Sequence, residues 1–241
     1  MTARLAALDP SNFMHSAAGI SVEVRPGFLR TRIGHLHLVE YVATGNMPAG
    51  SVLIAPPFAE EMNHSRRMVH LLGRRLAAQG YRVVSADLLG TGDSSGAFED
   101  ATVEAWLDDL ASVRAWCELG SRVAAIIGIR FGALLAAAHH RERPAGRLVL
   151  WDPVLRGEDH LREFLRLRVV ADQFRGRASG VSNLRELETR LAAGETLQVA
   201  GYSLNSVLAA GMRTLELAPL LAGTRHPVHW MQMGPAEQNS L

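Results

Sequence analysis

The chain has 241 residues, of which 48% are hydrophobic and 20% are charged. This composition is typical of a globular protein, and it excludes intrinsic disorder, a collagen-like repeat and a coiled coil. Lys and Arg number 25 against 24 Asp and Glu, so the formal net charge of +1 provides no global field for nucleic acid or an acidic membrane. The single cysteine, Cys117, excludes an internal disulfide and a Cys-cluster metal site, which suits a reducing compartment.

Neither end of the sequence nor its interior predicts a targeting or membrane segment. Residues 1–16 lack the uninterrupted apolar core of a signal peptide, and no later apolar run is long enough to span a bilayer. We therefore expect a cytoplasmic protein with no membrane span and no nucleic-acid partner.

Short apolar runs alternate with amphipathic segments along most of the chain, after a loose first segment. The runs predict strands at Ile33–Ala43, Ser51–Ala55, Tyr81–Ala86, Arg122–Ile127, Arg147–Trp151 and His226–Met233. Helical periodicity predicts helices at Ser65–Gln79, from an Asp100 N-cap through Cys117, and at Phe131–His140. This alternation predicts right-handed βαβ units, and thus an α/β fold with a predominantly parallel, doubly wound sheet.

The segment 157–221 interrupts this alternation, because it is helical, rich in arginine and without a strong strand. We interpret it as a helical cap inserted over the carboxyl ends of the strands. Residues 1–156 would then form the first part of the core, and residues 222–241 its last strand and a C-terminal tail.

Three turns follow predicted strands at the sheet edge where open α/β sheets bind their ligands. They are Pro56–Glu61, Asp87–Gly96 and Gly128–Gly132. Together they resemble the α/β-hydrolase superfamily, in which an oxyanion loop, a D-x-x-G-x-G-x-S loop and a G-x-S-x-G nucleophile elbow occupy these places. The resemblance is strong over about Ser51–Val154 and looser elsewhere.

The residues of these turns are similar to those of the group named exosortase A system-associated hydrolase 2. The similar segments are PPFAEEMNHSRRM, ADLLGTGDSSG and GIRFGALLA. Members of that group are found beside exosortase-type protein-sorting and exopolysaccharide genes. The resemblance implies an α/β-hydrolase fold and hydrolysis of an ester, thioester or similar acyl bond. Its partners would be a small anionic or acyl molecule, or a protein of an export or polysaccharide pathway.

The elbow departs from the superfamily pattern at its central position. Gly128 and Gly132 are retained, but Arg130 stands where the nucleophile is expected, and a guanidinium cannot attack a carbonyl. The triad histidine would follow the last strand, yet the tail Gly234–Leu241 contains Glu237 and no histidine. Either a further strand and a histidine loop follow Leu241, or the general base is absent; within the given sequence the ordinary Ser-His-Asp triad is not present.

Arg130 has two alternative roles at this stage. It can form an anion-binding centre with the backbone N–H of Phe131 at the helix N-terminus, with Phe58 as an apolar wall. Alternatively, it can form an internal ion pair with Asp152, which follows the Arg147–Trp151 strand. The sequence does not decide between them.

Three carboxylates are candidate catalytic groups. Glu60 or Glu61 could act as general base on water, or both could be solvated or paired with Arg66 and Arg67. Asp152 could orient a base, or pair with the elbow arginine. Two functions therefore compete: a hydrolase that uses activated water, and a non-catalytic hydrolase-fold protein that binds an anionic ligand or a partner.

No metal or cofactor is expected, because the histidines lack a carboxylate at metal-ligand spacing. His139 and His140 lie near a helix end, where contact of a charged imidazole with the helix dipole explains them. Asp87 is assigned a structural role as acceptor for backbone N–H groups of its turn. Cys117 is expected in the core.

Overall fold

The computed structural model describes residues 21–45, 47–174 and 183–232. The N-terminal residues 1–16 and the tail Gly234–Leu241, on which two expectations rest, lie outside these ranges. Within them, no helix is long and apolar enough to cross a membrane. The strands are β1 Val22–Thr31, β2 Gly34–Ala43, β3 Ser51–Ala55, β4 Arg82–Ala86, β5 Val123–Ile129, β6 Arg147–Trp151, β7 Leu197–Val199, β8 Tyr202–Leu204 and β9 Val228–Met231.

Seven of these strands form the central sheet, in the order β1-β2-β4-β3-β5-β6-β9. The pairs from β4 to β9 are parallel, whereas β1 pairs with β2, and β2 with β4, in antiparallel orientation. Strands β3 and β5 are largely buried on both faces, which explains their continuous apolar runs. The predicted fold class, an α/β-hydrolase fold with a mainly parallel sheet, is confirmed.

Helices cover both faces of this sheet. Leu53 of β3 belongs to the larger apolar cluster with the buried side chains of two helices on one face, whereas Ile54 packs into a second cluster on the opposite face. The alternation of neighbouring residues across β3 is what a strand between two helical layers requires. The helices are α1 Glu60–Ala78, α2 Val103–Glu118, α3 Gly132–Glu142, α4 Gly157–Phe174, α5 Leu184–Ala192, α6 Ser206–Thr214 and α7 Leu217–Leu221.

Two expected boundaries are wrong, and strand β1 was missed. Helix α1 begins at Glu60, so the two glutamates lie in its first turn and not in a loop. Asp100 lies in a 3-10 turn, and the side chain of Thr102 caps α2 by accepting a hydrogen bond from the backbone N–H of Ala105 at 3.0 Å. Strand β1 has a half-exposed pattern and contains Pro26, which an edge strand tolerates, so its apolar signal is weak.

The segment interpreted as a cap contains α4 to α7 and also the hairpin β7-β8, whose strands of three residues each were missed. It packs on the core through aromatic rings: Phe164 of α4 meets Phe58 edge-on at 5.0 Å between ring centroids. The amide of Asn63 donates a hydrogen bond to the hydroxyl of Tyr202 at 3.0 Å. These contacts fasten the segment beside the turn that follows β3.

The prediction for Cys117 is confirmed, whereas the prediction for His139 and His140 is wrong. Cys117 is fully buried as expected, and burial raises the pKa of its thiol to about 11. The dipole explanation for His139 and His140 is wrong, because both side chains are buried at the end of α3. Burial lowers the pKa of His139 to about 4, so its ring is neutral at pH 7, and burial also lowers the pKa of His140, which disfavours the charged form that a dipole contact needs.

Candidate functional site

The elbow has the close strand-turn-helix geometry that its two glycines predict. Strand β5 ends at Ile129, Arg130 adopts a positive φ of 53°, and α3 begins at Gly132. A Cβ at Gly128 would collide with Ala133, and one at Gly132 would collide with the backbone of the turn after β3. Glycine is therefore required at both positions, and Arg130 is held in a strained conformation.

Strained backbone is concentrated at this edge of the sheet. Among the described residues, four non-glycine residues have a positive φ, and three of them lie after the ends of core strands: Arg130 and Asp152 directly follow β5 and β6, and Ala59 ends the turn between β3 and α1. Backbone strain of this kind costs free energy and persists where the surrounding structure enforces it. The concentration marks this edge as the candidate site.

The guanidinium of Arg130 lies between two carboxylates. Its Nε donates to Glu61 Oε1 at 3.2 Å, and its Nη1 donates to Asp152 Oδ2 at 3.3 Å and to the Asp152 carbonyl oxygen at 3.4 Å. Of the two alternatives for Arg130, the structure therefore has the ion pair with Asp152. It adds Glu61 as a second partner.

Glu61 and Asp87 take partners that the sequence did not assign to them. The expected pairing of Glu61 with Arg66 or Arg67 is wrong; the guanidinium of Arg66 instead lies 3.3 Å from Asp87 Oδ1. Asp87 also accepts a hydrogen bond from the backbone N–H of Asp93 at 3.2 Å, in keeping with the structural role assigned to it.

Both partners of Arg130 are about as exposed as the arginine itself. The side-chain exposures are 33% for Arg130, 29% for Glu61 and 32% for Asp152. The ion-paired group is thus reachable from solvent and not sealed in the core. A compensated guanidinium attracts a further anion only weakly, so this geometry does not favour the anion-binding centre, which stays a prediction.

The surroundings of Glu61 raise the pKa of its carboxyl group. Burial raises its pKa above the ordinary value, the charge of Arg130 and the hydrogen bond from it oppose this, and the charges of Glu60 and Glu163 add to the rise. The second carboxylate oxygen of Glu61, Oε2, is buried and has no hydrogen-bond partner among the described residues. The same holds for Oε2 of Glu60.

Two phenylalanines lie next to the elbow: Phe58, which was predicted as an apolar wall, and Phe131, whose backbone N–H was predicted to bind an anion. Both are almost fully buried, at 3% and 1% exposure, and their rings meet edge-on at 5.6 Å between centroids. Phe58 also contacts Phe98, Trp106 and Phe164. The elbow and the turn after β3 are therefore joined through one aromatic cluster.

His160, in the first turn of α4, was not predicted as a site residue. Its ring stacks on Phe131, with a centroid distance of 5.6 Å and an interplanar angle of 17°, and meets Phe58 edge-on at 5.6 Å. Burial, and next the charge of Arg130, lower its pKa to about 4. The available signal was its position early in a segment predicted to lie over the strand ends.

One group of potential metal ligands lies away from the elbow. Single ligand atoms of His37, Asp87 and Asp93 lie within 4.8 Å of one another. The Asp87 carboxylate is already engaged by Arg66, by the Asp93 backbone N–H and, at 3.3 Å, by the His37 ring. We interpret the group as the hydrogen-bond network that fixes the turn after β4.

A model of a known protein family matches most of the chain, including the elbow. The model of a hydrolase family described as serine aminopeptidase, S33, matches residues 47–218. The chain belongs to this family. A comparison with curated proteins found no significant match. Membership in a serine hydrolase family makes the arginine at the elbow the main chemical question about this member.

Solved structures give the same fold. Est1E from Butyrivibrio proteoclasticus, in a structure with bound ferulic acid, is 17% identical, with a TM-score of 0.62 over 85% of this chain and 77% of that one. A protein from Pseudomonas aeruginosa is 13% identical, with a TM-score of 0.56 over 95% and 83% of the two chains. The thioesterase domain from the curacin biosynthetic pathway is 19% identical, with a TM-score of 0.52 over 86% and 82%. At these identities the likeness concerns the fold.

Proposed function

We propose that this member of the family hydrolyses an acyl ester or thioester by direct attack of water, with Glu61 as general base and Arg130 in place of a nucleophilic serine. One observation carries the proposal. The 3.2 Å hydrogen bond from Arg130 Nε to Glu61 Oε1 holds the guanidinium beside the carboxylate and leaves another atom of each group without a partner. Among the described residues, neither Nη2 of Arg130 nor Oε2 of Glu61 has a hydrogen-bond partner.

The two groups have complementary roles in acyl transfer to water. The water oxygen attacks the acyl carbon while Glu61 Oε2 takes the water proton. Negative charge then develops on the carbonyl oxygen, which accepts hydrogen bonds from the N–H groups of Arg130 that its two carboxylate partners leave free. When the tetrahedral intermediate collapses, Glu61 returns the proton to the departing alkoxide or thiolate, and the acyl group leaves as a carboxylic acid.

The environment of Glu61 suits a general base. Burial raises its pKa from the ordinary glutamate value towards neutrality, and a base is more effective when its pKa approaches the working pH. Asp152 has a supporting role in this scheme, because its carboxylate and carbonyl oxygens hold Nη1 of Arg130. Glu60, whose Oε2 is likewise unpartnered, is the alternative base.

A panel of conservative variants tests the mechanism with p-nitrophenyl butyrate and a short-chain butyryl thioester as substrates. We expect Glu61→Gln to lower kcat by about 100-fold, and Asp152→Asn to lower it less. Glu60→Gln separates the two candidate bases. Glu142→Gln, an exposed residue at the far end of α3, is the matched control and should retain wild-type turnover.

Two results would contradict the proposal. Turnover that is insensitive to Glu60→Gln, Glu61→Gln and Asp152→Asn would exclude the carboxylate mechanism. Failure of the wild-type protein to hydrolyse either substrate would instead favour the non-catalytic alternative, in which the hydrolase fold binds a ligand or partner.

The cellular setting is a separate proposal, supported by the similarity of three segments to the exosortase A system-associated group. On that basis the chain acts in the cytoplasm on a small acyl compound of an exosortase or exopolysaccharide pathway. Deletion of the gene in the native organism should reduce the amount of surface polysaccharide or of correctly sorted surface proteins. Unchanged amounts of both would refute the association.

A further inference from the structure

His160 has hydrogen-bonding groups that the fold does not use. The residue is 5% exposed, and neither Nδ1 nor Nε2 has a hydrogen-bond partner among the described residues. A buried polar group without a partner loses its hydration and gains nothing in return. The protein therefore retains an imidazole where an apolar ring would be more stable.

Packing explains why a flat aromatic ring occupies this position, but it does not explain why the ring contains polar nitrogen atoms. The ring lies flat on Phe131 and edge-on to Phe58, at centroid distances of 5.6 Å in both cases. Phe131 adjoins Arg130 at the elbow, and Phe58 lies three residues before Glu61. His160 is thus wedged between the two turns that carry the guanidinium and the carboxylate, and a phenyl ring would fill the same space.

Glu163 defines one side of the imidazole. Its Oε2 lies 3.8 Å from Nδ1, one turn further along α4, which is too long for a hydrogen bond but close enough to orient the ring dipole. A carboxylate on this side favours the tautomer that carries the proton on Nδ1. Nε2 is then the lone-pair nitrogen, able to accept a hydrogen bond.

We propose that His160 is a further catalytic residue of the elbow site, and that Nε2 accepts a hydrogen bond from the water or hydroxyl group bound between Arg130 and Glu61. The inference rests on the proposed function. His160 Nε2 adds a second hydrogen-bond acceptor to the proposed site, beside Glu61 Oε2. A water molecule that donates both its protons to these two acceptors keeps a lone pair for the acyl carbon.

The charge state of His160 agrees with this role. The pKa of about 4 leaves the ring neutral at pH 7, so the lone pair is available. Arg130 is the cation that lowers this pKa after burial, and Glu163 is the nearest carboxylate. Because such a ring is a weak base, we assign proton transfer to Glu61 and positioning of the water to His160.

The variant His160→Phe separates this role from a structural one. It preserves the stack on Phe131 and removes both nitrogens, so the thermal midpoint should stay the same or rise. We expect kcat for p-nitrophenyl butyrate to fall by at least about tenfold with little change in KM. His160→Gln, which restores an acceptor, should recover part of the loss. His139→Leu, at an equally buried histidine of α3, is the control and should keep wild-type kcat.

A His160→Phe protein with wild-type kcat would overturn the proposal. So would a fall in thermal midpoint large enough to account for the lost turnover by unfolding, because His160 would then be a packing residue. Unchanged turnover of Glu61→Gln would contradict the proposed function, not the role of His160. The effect of His160→Phe on kcat would still test that role.

A second measurement applies if the wild-type protein shows no turnover. Protein labelled with ¹⁵N-histidine is titrated with butyramide, an uncharged acyl compound that is not hydrolysed under these conditions. We expect the Nε2 resonance of His160 to have the shift of an acceptor nitrogen and to move on titration, while the His139 resonances stay in place. An unchanged His160 spectrum would refute ligand contact, whatever the catalytic result.

Discussion

Arg130 and Asp152 meet because the strands that precede them are paired in register. Ile129 of β5 is the partner of Trp151 of β6, and the backbone N–H of Arg130 donates to the carbonyl oxygen of Trp151 at 3.0 Å. The next residue of each strand therefore emerges at the same level of the sheet. The 3.3 Å contact between guanidinium and carboxylate is a direct consequence of this pairing.

This relationship predicts that Arg130→Met destabilises the protein. Removing the cation leaves Glu61 and Asp152 close together without a counter-charge. Complete burial would make the loss about 3 to 5 kcal/mol, but these side chains are about a third exposed, so we expect about 2 kcal/mol. Urea unfolding at pH 7.5 measures the change in the free energy of unfolding.

A double-mutant cycle checks the origin of that loss. Asp152→Asn in the Arg130→Met background should restore about half of the lost stability, because one of the two unpaired carboxylates is removed. Additive effects of the two substitutions would show that they are not energetically coupled, and the ion pair would then have no role in stability.

The strand-helix alternation and the elbow could be predicted from the sequence because both depend on local patterns. The bounds of β3 and β6 agree with the predicted runs, since continuous apolar segments between turn residues have few alternatives. Gly128 and Gly132 predicted the tight turn because a side chain at either position meets backbone. These patterns can be recognised in the sequence before it is known which distant residues they contact.

The pairing of Glu61 and the position of His160 could not be predicted in this way. The Arg130–Glu61 contact joins residues 69 positions apart, and it depends on where α1 begins. His160 reaches the elbow only because α4 lies across it, and the periodicity of α4 alone does not give that placement. The hairpin β7-β8 was missed because strands of three residues lack a measurable alternation.

The elbow glycine gives a test of the backbone geometry. A Cβ at Gly132 would meet the backbone carbonyl oxygens of Ala55 and Pro56, so Gly132→Ala should cost about 2 to 3 kcal/mol of unfolding free energy. Gly27→Ala on β1 is the matched control, because no atom lies within 4 Å of a Cβ there, and it should leave stability almost unchanged. Equal effects of the two substitutions would contradict the close approach of turn and strand.

Replacing the buried carboxyl group of Asp109 by a neutral side chain should increase the stability of the protein. Its carboxylate is 2% exposed and accepts a hydrogen bond from the backbone N–H of Leu89 at 2.7 Å. Burial raises its pKa to about 6 from the ordinary value of 3.8, so its contribution to stability is complete below pH 3.8 and is lost as the pH rises through 6. Asp109→Asn should therefore raise the unfolding free energy at pH 7.5 by about 1 to 2 kcal/mol.

The matched control for this prediction is Asp108→Asn, at the preceding and largely exposed position of α2. It should change stability little at either pH. If Asp109→Asn were destabilising at pH 7.5, the hydrogen bond of the charged carboxylate to Leu89 would outweigh its burial, and the raised pKa would be the wrong description of this group.

Acid should destabilise the protein through its buried histidines, and His139 provides the clearest case. Burial lowers its pKa to about 4 from the ordinary value of 6.5, so the unfolded chain binds a proton between these values and the folded protein does not. The stability contributed by the neutral ring is present above pH 6.5 and is lost as the pH falls through 4. This one group should account for a loss of about 2 to 3 kcal/mol.

Urea unfolding of the wild type and of His139→Leu at pH 7.5, 6, 5 and 4.5 isolates that loss, because the variant lacks the titrating ring and should show a shallower decline. His64→Gln, at an exposed position of α1, should keep the wild-type slope. A His139→Leu protein with the full acid dependence of the wild type would assign the loss to other groups.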